Sequence, residues 1–123
     1  MKLLTGARGF VLALIAWILG AGIALGHSGL QRAEPQAESK LKRPPSEVKL
    51  YFSERLEHGY STVRVNDARG AQVDRQDAHL DPANPRLLWV TLQPLQRGAY
   101  TVIWRVLSVD SHVTEGRFTF LVE

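Results

Sequence analysis

The run YTVIWRVLS, residues 100–108, alternates so strictly that it buries its large side chains together only as an extended strand. Tyr100, Val102, Trp104 and Val106 fall on one face at a period of two. The same rhythm returns along the chain. In EVKLYFSE, Val48, Leu50 and Phe52 oppose Lys49 and Tyr51, and in STVRVND, Val63 and Val65 alternate with Thr62, Arg64 and Asn66. RLLWVTLQ groups Leu88, Val90 and Leu92, and GRFTFLVE groups Phe118, Phe120 and Val122. Turn residues punctuate these runs. DARG at Asp67–Gly70 predicts a hairpin leading into a short strand at Ala71–Asp74, Asp77–Pro85 predicts a loop, and Leu95–Gly98 predicts a turn. No amphipathic helix of useful length appears. The expected fold is all-β: a seven-stranded, antiparallel, Greek-key β-sandwich with Trp104 at the centre of its core. Between residues 27 and 43 no strand is evident. Leu30 and Leu41 are expected to tuck against the sheets, and Pro44-Pro45 to end the segment.

The first 26 residues have another character. A short head carrying Lys2 and Arg8 precedes an apolar run, Phe10–Leu25, and small residues, Ala24 and Gly26, precede residue 27. This is the pattern of a cleavable signal peptide over 1–26, with an exported domain over 27–123. The 16 apolar residues fall short of a bilayer span of about 20, and Gly20 and Gly22 weaken them as a helix. The remaining 97 residues suffice for one domain with one modest core. They keep all 12 acidic residues and lose two of the 15 basic ones, so their net charge is +1. The whole-chain pI of 9.6 therefore belongs partly to the leader and gives no argument for nucleic acid. The Lys40, Lys42, Arg43 cluster reads as a solvated loop.

There is no cysteine, and the one methionine is Met1. Disulfides, thiolate metal sites and thiol catalysis are excluded. Any metal on the exported domain is held by nitrogen and oxygen, a donor set that suits Cu(II) and disfavours Cu(I). Cleavage before His27 would put a free α-amine and an imidazole on one residue, a chelating pair. Directly after the strand 100–108 comes Asp110-Ser111-His112, whose carboxylate and imidazole, two residues apart, share a side in a strand or tight bend. His27, Asp110 and His112 together offer an amine, two imidazoles and a carboxylate. His58 and His79 read as loop histidines. Serine–histidine hydrolysis is set aside, because Ser111 and His112 are adjacent and diverge on a strand, and no G-x-S-x-G elbow exists.

These residues carry a resemblance. The order of His27, Leu30, Pro35, Pro45-x-x-Val48-x-Leu50-x-Phe52-Ser53-Glu54, Gly98-x-Tyr100-Thr101-Val102-x-Trp104-Arg105-Val106-x-Ser108-x-Asp110-Ser111-His112 and Gly116-x-Phe118-x-Phe120 resembles the CopC family of periplasmic copper-binding proteins. The resemblance implies an Ig-like, cupredoxin-like sandwich with one Cu(II) site at one end. His27 would supply amine and imidazole, with His112 and Asp110 completing the site. Glu54 matches the family's FSE glutamate, as a weak ligand or an acceptor that orients the amine. It further implies a periplasmic protein that buffers or carries copper, and a CopD-type inner-membrane transporter as partner. Small size and the lack of an obvious apolar surface stripe make a monomer the default. Two departures stand out. The stretch from Val65 to His79, where some members carry a Met-rich Cu(I) site, has no methionine, so no such site is expected. Val113 stands where the family often has proline. The competing reading is a histidine-brace copper enzyme that activates oxygen or peroxide. The anionic Asp110 in the coordination space argues against it, since it favours the oxidised metal.

Overall fold

Each alternating run has one face to bury and one to solvate, and two such sheets satisfy each other by packing face to face. The computed structural model describes residues 29–123 and contains eight strands. These are β1 (Leu30–Glu34), β2 (Lys40–Leu41), β3 (Glu47–Phe52), β4 (Thr62–Asp67), β5 (His79–Asp81), β6 (Asn84–Thr91), β7 (Gly98–Leu107) and β8 (Val113–Val122). One sheet runs β1-β3-β6-β5 and the other β2-β8-β7-β4. The chain crosses between the sheets after β1, β2, β3, β4 and β6, the Greek-key habit expected of a β-sandwich.

The inward faces are those the alternation marks. Val48, Leu50, Val65, Val90 and Val102 are fully buried, and Trp104 lies among them. The Trp104 ring meets Phe52 edge-on, with centroids 5.3 Å apart and planes at 73°, the arrangement that ring quadrupoles favour. Tyr100 stacks on Phe120 at 5.4 Å, and its hydroxyl donates to the Gln96 carbonyl at 2.6 Å, which pins the turn entering β7.

Three local features differ from the expectation, each for a physical reason. The segment before Pro44 forms two edge strands. Its β2 pairs parallel with β8, Lys40 against Leu121 and Leu41 against Val122, and two residues are too few to show a period. Within the expected loop Asp77–Pro85, a short β5 pairs with β6. Ala71–Asp74 forms no strand, only isolated bridges from Gln72 to Asn66 and from Asp74 to Leu92. There the Asp74 side chain replaces a ladder. Buried, it accepts the Val65 N–H at 2.8 Å, the Gln76 N–H at 2.9 Å and the Gln72 amide at 3.1 Å. Those donors meet the cost of burying a carboxylate.

Candidate metal centre

Two connections at one end of the sandwich build the site: the β3–β4 loop, residues 53–61, and the β7–β8 turn, residues 108–112. Leu56 is the one buried residue of the loop, and its burial anchors the segment in the core. Beside it, backbone hydrogen bonds lace loop to turn. The Glu57 N–H donates to the Leu107 carbonyl at 2.8 Å, the Val109 N–H to the Arg55 carbonyl at 2.9 Å, and Leu56 bridges Ser108. This lacing carries Glu54 across the end of the sandwich to Asp110.

The turn is organised by Ser108. It continues the inward face of β7 and is buried. Its N–H donates to the His112 carbonyl and its carbonyl accepts from Ser111, both at 2.9 Å. The hydroxyl donates to the Asp110 carboxylate and accepts the His112 N–H at 3.2 Å. Ser111 takes a left-handed conformation, φ 73°, which closes the turn tightly enough for its two neighbours to converge. His112 Nδ1 lies 3.1 Å from an Asp110 carboxylate oxygen.

The outcome is a triad, Glu54, Asp110 and His112, with one donor atom from each lying within 4.8 Å of the others. All three side chains are exposed. The Ser108 hydroxyl, and after it the Glu54 carboxyl, hold the Asp110 carboxyl below the usual carboxylate value, with His112 adding to the effect. Two carboxylates and an imidazole within one small radius form an oxygen–nitrogen donor set that fits a divalent cation, Cu(II) included. Glu54 and His112 also line a cavity of about 140 Å³, together with Gly29, Phe52, Ser108 and Thr114. The Gly29 carbonyl accepts the Ser53 N–H at 2.8 Å, so residue 29 is fixed at this cavity.

Of the sequence-predicted residues, Asp110, His112 and Glu54 come together here, and His27 lies outside the described residues. His79 and His58 are not in the triad. The His79 ring packs on Trp89 at 4.3 Å, its Nδ1 is 2.6 Å from the Asp77 carbonyl, and His58 is exposed in the β3–β4 loop. Sequence reasoning passed over Ser108. The signal was available: it extends the period of Tyr100, Val102, Trp104 and Val106 by one step, and a polar residue at an inward position needs partners.

Known proteins are similar to this chain. The model of the CopC domain family matches residues 30–123. Protein YobA of Escherichia coli strain K12 is 30% identical over 115 residues, spanning 93% of each chain. Copper resistance protein C of Escherichia coli is 30% identical over 107 residues, covering 81% of this chain and 84% of its own. The crystal structure of CopC from Methylosinus trichosporium OB3b superposes with a TM-score of 0.72 at 36% identity, covering 79% of this chain and 94% of the other.

Proposed function

The chain belongs to the CopC family, and from that premise we propose that it is a periplasmic protein that binds one Cu(II) ion and buffers or carries it. Residues 1–26 serve as a signal peptide, and cleavage makes His27 the first residue of the domain. The observation that carries the reading is the convergence of Glu54, Asp110 and His112, beside a cavity that Glu54 and His112 line together with Gly29. That place of Gly29 in the cavity lining supports a reading in which the residue two positions before it joins the triad.

In this reading His27 binds through its α-amine and imidazole, and Asp110 and His112 complete a tetragonal set. Glu54 binds weakly or accepts a hydrogen bond from the amine. Copper must displace a proton from an amine whose ordinary pKa is about 7.7–8.0, so affinity falls as pH drops. The anionic donors favour the divalent ion, and the role is carriage, not catalysis, with a CopD-type membrane protein as the exchanging partner. The test is a chelator-competition titration of residues 27–123 with Cu(II), with an EPR spectrum and a peroxide-consumption assay. Tight one-to-one binding, a nitrogen-rich tetragonal signal and no turnover are expected. Weak binding by a domain whose mass confirms His27 at its start would overturn the copper reading, and turnover would overturn the non-catalytic one.

A further inference from the structure

The large hydrophobic side chains most exposed among the described residues lie in the loop and turn that carry the triad, or directly after them. Tyr60 is 71% exposed, Val109 52% and Val113 53%. Tyr60 sits in the loop that carries Glu54, Val109 precedes Asp110 and Val113 follows His112. Tyr60 and Val113 line one shallow concavity of about 390 Å³ with Thr62, Arg105 and Leu107.

Strand register extends this patch along the outer face of the β4-β7-β8 sheet. Leu107 pairs with Val113 in the row nearest the triad. The next row is Thr62, Arg105 and Glu115, and the one after is Arg64, Ile103 and Arg117. Val63, Trp104 and Phe118 are buried, so their neighbours in these rows face outward. Three arginines and one glutamate leave this face net positive. Among the described residues, none of the three has a carboxylate oxygen within 4.0 Å, whereas Arg32 and Lys49 on the opposite sheet are both paired.

We propose that this face, from Tyr60 and Val113 at the triad to Arg64 and Arg117, is the docking surface for the protein that exchanges copper with this domain. The inference rests on the copper reading above. The surface it fits is acidic, with an apolar recess for Tyr60. An aromatic and arginines around a small apolar centre are the composition of protein–protein hot spots. Lipid-binding patches gather four to eight basic residues, and this face has three with a glutamate among them. The apolar row adjoins the triad, so a partner seated on it has its own ligands within reach of the metal.

The experiment measures binding of the Cu(II)-loaded domain to a CopD-type transporter in nanodiscs of neutral phosphatidylcholine. Tyr60→Ser and Arg105→Glu are compared with Lys49→Glu on the opposite sheet. Each outer-face variant should weaken binding at least about tenfold and keep its Cu(II) affinity, while Lys49→Glu leaves both unchanged. Equal loss from Lys49→Glu, no loss from the outer-face variants, or no binding by the loaded wild type would overturn the proposal. So would equally tight binding to empty nanodiscs containing phosphatidylglycerol, which would make the face a membrane contact. The separate Cu(II) titration distinguishes these failures from failure of the copper reading.

Discussion

The Ser108 hydroxyl donates to the Asp110 carboxylate, so a buried side chain just after β7 sets the position of an exposed acidic group at the tip of the domain. The same oxygen accepts the His112 N–H. One residue thereby fixes both members of the D-x-H pair relative to the core. In the proposed copper site the ion would meet donors whose placement is already decided, leaving less ordering for binding to impose.

Ser108→Ala should therefore lower Cu(II) affinity by about 10–100-fold, the usual effect of removing a partner that orients a ligand. It should also cost about 1–3 kcal/mol of stability through lost hydrogen bonds at a buried position. Competition titration and thermal unfolding of the same variant check the two together. Unchanged affinity with a lowered Tm would make Ser108 purely structural.

Asp110→Ala and His112→Ala should act differently. Both side chains are exposed, and exposed substitutions usually move stability by no more than about 0.5 kcal/mol. Cu(II) affinity should fall by more than about 100-fold, beyond the effect of an orienting partner. Unfolding with intact affinity would assign the pair a structural role instead.

Adding one residue ahead of His27 should weaken Cu(II) binding strongly, because the α-amine moves out of chelating reach of the imidazole while every side chain stays. In the proposed site the amine would also dictate the pH dependence. Affinity of the processed domain should decline from about pH 8 downward, earlier than for an imidazole site alone. A titration in which the extended and processed forms bind equally would remove the amine from the site.

Asp77 predicts an acid limb in stability. Its carboxylate accepts the Thr91 hydroxyl at 2.6 Å and the Thr91 N–H at 2.9 Å, and the hydroxyl above all holds its pKa below 3.8. The folded carboxyl thus titrates below the unfolded one. Its stabilisation is fully present above about pH 4 and is lost as pH falls through the folded value. Asp77→Asn should flatten the decline of Tm as pH falls below about 4. A Tm profile in that range parallel to the wild type would show that this carboxylate does not contribute.

Asp74→Ala should cost about 3 kcal/mol, since it leaves the buried Val65 N–H and the part-buried Gln76 N–H without their acceptor. Cu(II) affinity should stay unchanged. Chemical denaturation and the same titration test this separation of fold from site.

Period-two alternation determined by itself which faces of β3, β4, β6, β7 and β8 are buried, because a strand has two sides and water sorts them. It also put Asp110 and His112 together, since their spacing is local. Edges and crossings followed another logic. The β2–β8 pairing, the short β5 and the Asp74 anchor depend on partners far along the chain, and a two- or three-residue segment carries no period of its own. Glu54 shows the division most clearly. Alone it reads as a solvated strand-end carboxylate, and only a family likeness singled it out. Its place beside Asp110 comes from Leu56 entering the core and from backbone hydrogen bonds joining residues 55 and 57 to 109 and 107. Local chemistry names the donors, and long-range packing decides which of them meet.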